Sequence, residues 1–291
     1  MKPAELQFAL PITPKLVASR VSTLKECQLP EKGVQCVIAS SDLNLSKYIT
    51  TTIVCFNNDG TANVIWRKFR KCSIPVNLPE ADYQKRVYDL LGQHGRELKK
   101  LADDFHFKID AYAIDANGVP WEAVLSFCKN SVQICGISAC GFVGRASHLF
   151  RPFVRSRLKE ATQETVLCGD ADEHEKRGSG RKWVYFNSDL YHETVQKAFL
   201  AEVGNIGSLT WYSGGGNPDW AIQVCNEKLM MKRNRQDGTI EYTWKDIGDH
   251  DALDSIGQAF AAHASLGYSS GVSGRPVMRV RHVKKPKFRF I

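Results

Sequence analysis

The sequence predicts an α/β protein with a mixed central sheet flanked by helices, and with an extra β-hairpin before the last helix. Three observations lead to this prediction. Strand-length apolar runs open the ordered part of the chain, and helix-like and strand-like patterns alternate through its middle. A turn at 234–238 then separates two strand-like segments just before the final helical pattern.

The first three strands are expected at 34–41, 48–56 and 62–69, which are rich in apolar and β-branched residues. Asn57-Asn58-Asp59-Gly60 lies between the second and third of these runs and is a strong hairpin turn. The ordered part of the chain is therefore predicted to begin as an antiparallel meander.

A helix is predicted from Glu80 to Asp104, where apolar residues recur at helical spacing between charged ones. A strand at 109–114 comes next. Pro120 then begins a further helix, and a short strand is expected at 132–136.

Residues 137–181 carry weaker patterns. We expect flexible basic loops at 141–146 and 177–182, and a helix at 150–162 between them. A strand at 183–186 follows, after which Asn187 or Ser188 can cap a helix.

The remaining pattern is mostly helical. The predicted elements are helices at 189–202 and 217–226, a hairpin at 228–244, and a last helix from about Asp249 to Ala264. Leu253, Ile256, Phe260 and Ala261 fall on one face of that last helix.

Length and composition fit a globular protein. The chain has 291 residues, of which 43% are apolar, and no apolar run reaches the roughly 18–20 residues that span a bilayer. Its first residues lack the features of a signal peptide. The nine cysteines are odd in number and mostly lie in apolar runs. This pattern predicts reduced thiols in a cytosolic protein.

The net charge of +8 is unevenly distributed. Residues 275–289 hold seven Lys and Arg and no acid, which leaves about +1 for the rest of the chain. A basic tail with interleaved apolar residues suits a polyanion, although it can also serve only for solubility. We therefore divide the chain into an arm or linker at 1–30, one domain at 31–265 and a basic tail at 266–291.

Three short acidic segments lie far apart in the chain. Asp42 closes the first apolar run, Asp115 closes the run at 109–114, and Asp249-His250-Asp251-Ala252-Leu253-Asp254 opens the last helix. Because neighbouring strands end side by side, Asp42 and Asp115 could converge at one sheet edge. A helix across that edge would add Asp251 and Asp254, which are three residues apart and share a face.

Such a set fits phosphodiester hydrolysis. Two divalent ions about 3.5–4 Å apart activate a water and stabilise the leaving oxygen. Mg²⁺ or Mn²⁺ prefers oxygen ligands, and crowded carboxylates repel one another unless cations neutralise them. His250 beside these acids either orients a water or phosphate or is an exposed first-turn histidine.

Each acid also has an ordinary structural interpretation. Asp42 could be a turn residue, and Asp115 could form an Asx turn with its own backbone. Asp249 is most simply a helix N-cap, with Asp251 as a favourable charge in the first turn. Asp254, deeper in the helix, has no such explanation.

The order of elements and acids is that of the RNase H-like fold. In addition, Pro14–Arg20, the strand into Ser41-Asp42-Leu43-Asn44, and Ile114–Gly118 with Ala123–Lys129 resemble the nuclease half of the large terminase subunit of lambda-like tailed phages and prophages. The segments Val184–Glu193, Glu241–Trp244 and His250–Asp254 continue the resemblance, which spans roughly residues 10–265.

The resemblance implies a metal-dependent endonuclease that cuts concatemeric viral DNA in the cytoplasm of a bacterial host as the DNA is packaged. It implies that Asp42, Asp115 and Asp254 are the catalytic acids and metal ligands, with Asp251 as the alternative helix acid and a further metal ligand. Partners implied are a packaging ATPase, a small terminase subunit and the portal of the procapsid.

The sequence departs from this family in three ways. It contains no P-loop motif of the packaging ATPase, so ATP-driven translocation is not assigned to it. Leu43-Asn44 stands where the family favours Val-Gln, and residues 137–181 match poorly.

Basic residues are candidates for contacts with DNA phosphates. They are Arg145, Arg181, Lys182, Lys232, Arg233, Arg235, Arg279, Arg281, Lys284 and Lys285. Two alternatives stay open: a resolvase- or transposase-like nuclease of the same fold, and a non-catalytic DNA-binding packaging protein.

Overall fold

Two β-sheets and the helices packed on them form the fold. The computed structural model describes residues 6–8, 11–31, 33–75, 77–117, 121–145, 165–169, 182–233 and 240–267. The predicted helix at 150–162 lies outside these ranges, as does most of the predicted basic loop at 177–182.

The strands are, in chain order, β1 (Leu6–Phe8), β2 (Val34–Asn44), β3 (Tyr48–Asn57), β4 (Ala62–Lys71), β5 (Ala111–Asp115), β6 (Ala139–Arg145), β7 (Thr165–Gly169), β8 (Lys182–Asn187), β9 (Leu209–Trp211), β10 (Glu227–Arg233) and β11 (Ile240–Asp246). The helices are α1 (Pro14–Ser19), α2 (Glu80–Asp104), α3 (Trp121–Cys135), α4 (Ser188–Leu200), α5 (Pro218–Cys225) and α6 (Asp251–Ser265). None of these described helices is long and apolar enough to cross a membrane.

The larger sheet has the strand order β7-β8-β6-β5-β2-β3-β4-β9, and the smaller one has the order β1-β10-β11. Parallel pairs join β2 to β5, β5 to β6, β6 to β8 and β4 to β9, while the other pairs are antiparallel. The predicted mixed sheet, its opening meander β2-β3-β4 and the hairpin β10-β11 before the last helix are all confirmed.

The central strands are buried on both faces, and their side chains alternate between two hydrophobic clusters. Ile38 and Val54 pack with α4, α5 and α6 on one face. Val37 and Ile53 pack with α2 and α3 on the other. Among the described residues, no cysteine forms a disulfide.

The strand predicted at 132–136 is wrong, because residues 132–135 form the last turn of α3. Phe127, Ser131 and Cys135 are buried at intervals of four residues, which continues the helical period through this segment. Gly136 ends the helix with φ at +73°, a left-handed conformation that glycine adopts without strain. The β-branched character of Val132 and Ile134 was therefore overridden by helix packing.

The loop predicted at 141–146 is also wrong, since Ala139–Arg145 forms β6 in the middle of the parallel part of the sheet. A strand that is covered on both faces does not alternate between polar and apolar residues. Gly141 permits close packing of α3 on this strand, because a Cβ atom there would lie 3.1 Å from Cδ2 of Leu125.

Helix α6 is buried on nearly all sides. Ala252, Leu253 and residues 255–263 are buried, whereas the sequence predicted a single apolar face. The reason is that α6 lies on β2 and β3 and is itself covered by α4 and α5.

Residues 11–30 contact the domain. Val17 of α1 is fully buried in the cluster around α5, and its carbonyl oxygen accepts a hydrogen bond from Nε1 of Trp211 at 2.9 Å. A Cβ atom on Gly216 would lie 2.0 Å from the carbonyl oxygen of Ala18, so only glycine fits at this approach. The predicted division of the chain at residues 30 and 265 stays a prediction.

Candidate metal centre

Asp42 and Asp115 lie side by side on adjacent parallel strands. The register pairs Ser41 of β2 with Ile114 of β5, so the aspartate that follows each of them is at the same level of the sheet. Asp115 is buried, with 7% of its surface exposed. Asp42 is half-buried and lies within β2, which continues to Asn44, rather than after the strand.

The backbone N–H of Asn117 donates to Oδ1 of Asp115 at 3.0 Å. This is the hydrogen bond of an Asx turn, one of the two interpretations of Asp115. The same bond fixes the carboxylate at the end of β5. The side-chain oxygen of Asn117 in turn accepts from Nη1 of Arg145 at 2.7 Å, which places a guanidinium beside the aspartates.

Helix α6 brings Asp251 and Asp254 to the same place. Asp42, Asp251 and Asp254 each offer a carboxylate oxygen, and these oxygens lie within 4.8 Å of one another. The N-cap of α6 is His250, so the interpretation of Asp249 as the N-cap is wrong. Asp249 instead forms an ion pair with Lys47 at 3.6 Å.

The carboxylates raise the cost of one another's ionisation. The pKa of Asp42 is raised well above its ordinary value, first by burial and then by the charges of Asp254, Asp115 and Asp251. Burial raises the pKa of Asp115 to about 7 against the hydrogen bonds from Asn117. The pKa of Asp251 is also raised, by burial and by the charge of Asp254.

Asp254 differs from the other three, because two histidines face it. Nε2 of His192 lies 2.8 Å from Oδ1 of Asp254, and Nε2 of His250 lies 3.4 Å from Oδ2. Burial alone would raise the pKa of Asp254, but the hydrogen bond from His192 and the charges of both histidines lower it. Asp254 is therefore ionised beside three acids that resist ionisation.

His192 has a second carboxylate partner, because its Nδ1 forms an ion pair with Oε2 of Glu227. Burial would lower the pKa of His192, but the hydrogen bonds to Asp254 and Glu227 raise it to about 10. Sequence reasoning missed both residues. His192 has the appearance of an ordinary helical residue, and Glu227 opens a strand 35 positions later.

A divalent cation fits this donor set. Oδ2 of Asp251 is buried and has no hydrogen-bond partner among the described residues. Carboxylate oxygens are the ligands that Mg²⁺ and Mn²⁺ prefer, and a cation would relieve the repulsion that raises the pKa of Asp42. A second group, formed by Glu227, Asp246 and His250, also has ligand atoms within 4.8 Å of one another.

The basic candidates are distributed unevenly. Arg145 is exposed at the end of β6, next to the aspartates. Lys182 is the first residue of β8, and Lys232 and Arg233 end β10. The other candidates lie outside the described residues: Arg181, Arg235, Arg279, Arg281, Lys284 and Lys285.

Comparison with known proteins identifies the family. The family described as terminase large subunit gpA, endonuclease domain, matches residues 10–274. No curated protein and no solved structure matched the chain. The matched range contains Asp42, Asp115, Asp251 and Asp254. The chain belongs to the family of terminase large subunit endonuclease domains, which are nucleases of DNA packaging.

Proposed function

We propose that this chain is a metal-dependent endonuclease that cleaves double-stranded, concatemeric viral DNA during genome packaging. Asp42, Asp115 and Asp254 are its catalytic acids and hold two Mg²⁺ or Mn²⁺ ions, with Asp251 as a further ligand. The observation that carries this proposal is the approach of α6 to β2, which puts carboxylate oxygens of Asp42, Asp251 and Asp254 within 4.8 Å of one another. Asp115 lies beside Asp42 on the adjacent strand β5.

The protein side chains have distinct tasks in this proposal. Bound divalent ions would supply an activated water and neutralise charge on the leaving oxygen. Asp42 and Asp115 hold the sheet side of the centre, where hydrogen bonding at Asn117 keeps Asp115 in one orientation. Asp254 and Asp251 close the centre from α6, and His250 lies next to Asp254 where it can orient a phosphate.

Arg145 is the best-placed phosphate contact. It is exposed, and its bond to Asn117 holds the guanidinium near Asp115. A fixed guanidinium binds phosphate oxygens well, because its N–H groups form a planar fork. The remaining basic candidates, including the tail, would extend a salt-sensitive and largely sequence-independent contact along the duplex.

Selection of the cut site is assigned to partners. Phosphate contacts carry little sequence information, so specificity has to come from other subunits. We expect a packaging ATPase, a small terminase subunit and the portal of a procapsid in this role, in the cytoplasm of a bacterial host.

The test is cleavage of supercoiled plasmid with Mg²⁺, Mn²⁺ or EDTA, comparing wild type with Asp115→Asn and with Asp104→Asn. Asp104 is an exposed acid at the end of α2 and serves as the matched control. We expect metal-dependent nicking and linearisation that Asp115→Asn abolishes and Asp104→Asn retains.

Two other outcomes would support the alternatives. Wild-type protein that binds plasmid but cuts it with neither metal would refute the nuclease and support a non-catalytic DNA-binding protein. A strong preference for branched over linear DNA would support a resolvase-like enzyme of the same fold.

A further inference from the structure

A continuous chain of side chains leads from the candidate centre to the small sheet. Oδ1 of Asp254 on α6 lies 2.8 Å from Nε2 of His192 on α4. Nδ1 of the same ring forms an ion pair with Oε2 of Glu227, the first residue of β10. The side chains of His192 and Glu227 are only 6% and 12% exposed, so solvent does not replace these contacts.

The imidazole is fixed by its surroundings as well as by its two partners. Gly257 lies one turn after Asp254 on α6, and a Cβ atom there would be 3.3 Å from Cδ2 of His192. Trp244 of β11 packs its ring edgewise against the imidazole, with centroids 6.1 Å apart. A ring that faces a carboxylate at each nitrogen and packs against Gly257 and Trp244 has one orientation.

We propose that His192 and Glu227 form a positioning pair for Asp254. The pair holds Oδ1 of Asp254 on the imidazole and so directs Oδ2, which lies 3.4 Å from Nε2 of His250, toward the site of a divalent ion. This inference rests on the proposed function, because it assigns Asp254 as a metal ligand. Neither His192 nor Glu227 contacts substrate in this arrangement.

The physical basis is preorganisation. An aspartate side chain that rotates freely has to be ordered when an ion binds, and a hydrogen bond that is already present removes this cost. Loss of such an outer partner typically weakens metal affinity by about 10- to 100-fold. Glu227 acts through His192, since it keeps the ring turned with Nε2 toward Asp254.

Gln196 supplies a matched control. It is fully buried on α4, one turn after His192, and its Nε2 donates to the carbonyl oxygen of Glu227 at 2.7 Å and to that of Val224 at 3.2 Å. Gln196 therefore supports the same strand as His192 without contacting Asp254. Gln196→Met should lower the stability of the protein but leave its metal affinity unchanged.

The experiment measures Mn²⁺ binding to the full chain by titration calorimetry without DNA. Thermal unfolding and the Mn²⁺ dependence of plasmid cleavage are measured beside it. We expect His192→Leu to weaken Mn²⁺ binding about 10- to 100-fold. His192→Gln should recover most of this loss, because its amide N–H can reach Asp254. Glu227→Met should lose less Mn²⁺ affinity than His192→Leu does. This variant also keeps the pairing testable if His192→Leu fails to fold.

Each result has a definite consequence. The pairing is refuted if folded His192→Leu or Glu227→Met binds Mn²⁺ like wild type, or if Gln196→Met weakens binding as much as they do. Wild-type protein that binds no Mn²⁺ would refute both the metal centre and the pairing. Normal wild-type binding and cleavage with unaffected variants would refute the pairing alone.

Discussion

Ser255 of α6 donates its hydroxyl to the backbone carbonyl oxygen of Ser40 on β2 at 2.9 Å. Oγ1 of Thr52 on β3 lies 2.8 Å from the same hydroxyl oxygen. These buried hydrogen bonds fix the position of α6 along the strands of the sheet. Asp254 directly precedes Ser255 on α6, and Asp42 lies two residues after Ser40 on β2, so these bonds help to set the distance between the two acids.

Ser255→Ala should therefore lower the free energy of unfolding. The Thr52 hydroxyl loses its acceptor in a buried position, which costs about 1–3 kcal/mol. Urea denaturation measures this cost. Ser265→Ala is the control, because that hydroxyl bonds the nearby carbonyl oxygen of Ala262 within the last turn of α6. The control should stay within about 0.5 kcal/mol of wild type, and an equal loss in both variants would contradict the argument.

Asp42→Asn should stabilise the protein when divalent ions are removed. The variant relieves the repulsion from Asp254, Asp115 and Asp251 that the half-buried Asp42 carboxylate experiences. Thermal unfolding in EDTA at pH 8 should give a higher Tm for the variant than for wild type.

Mg²⁺ should reverse this order. An ion that binds only the folded state at 100 times its Kd adds about 2.7 kcal/mol to wild-type stability. Asp42→Asn should lose most of that gain, whereas exposed Asp104→Asn should behave as wild type under both conditions. A Tm for Asp42→Asn below that of wild type in EDTA would argue against crowded charges at the centre.

Arg145→Gln should weaken DNA binding and reduce its salt dependence. Loss of one phosphate contact lowers the slope of log K against log salt by about 0.9 for duplex DNA. Fluorescence anisotropy with a labelled duplex in EDTA, at several salt concentrations, measures this slope without cleavage. Arg86→Gln on α2, which packs on the sheet face opposite α6, should leave the slope unchanged.

The sequence predicted that the acids of the centre would lie close together because their signals are local, while their catalytic role stays a prediction. Asp42 and Asp115 follow apolar runs of strand length, and Asp254 lies within a periodic apolar helix. The parallel pairing of β2 with β5 then brings Asp42 and Asp115 together, although they are far apart in the sequence. The sequence signal for the hairpin before α6 was equally local, since a turn separates its two strands.

His192 and Glu227 could not be predicted in the same way. Each has an ordinary local pattern, and their meeting depends on how α4 packs against α6 and the small sheet. The error at 141–146 has a related cause, because burial of β6 on both faces removes the polar alternation that marks a strand. At 132–136 the β-branched Val132 and Ile134 favoured a strand, but this segment continues the helical period of α3. Tertiary packing, rather than residue type, determined the local structure and the contacts at all of these positions.

Val17→Ala should destabilise the protein, because Val17 is fully buried against α5 although it precedes the predicted domain boundary at residue 31. Removing two methyl groups from such a site costs roughly 1–3 kcal/mol. Val21→Ala is the control, since Val21 is 41% exposed. Chemical denaturation of the full chain compares them, and equal stabilities would favour an arm independent of the domain.

His263 should make the folded protein sensitive to acid. Its Nε2 bonds Oε1 of Gln35 at 2.7 Å, and its ring stacks on Phe56 with centroids 4.0 Å apart. Burial lowers the pKa of His263 from 6.5 to about 4. The unfolded chain therefore binds a proton that the folded chain excludes, and the stability contributed by this residue is present above pH 6.5 and lost as the pH falls toward 4.

His263→Gln removes this titration while keeping an amide donor for Gln35. We expect the variant to be less stable than wild type at pH 7, because it loses the stacked ring. Between pH 6 and 4.5 its free energy of unfolding should fall less steeply than that of wild type, by up to about 1.4 kcal/mol per pH unit. Parallel slopes for wild type and His263→Gln would mean that folded His263 takes up its proton as readily as the unfolded chain does.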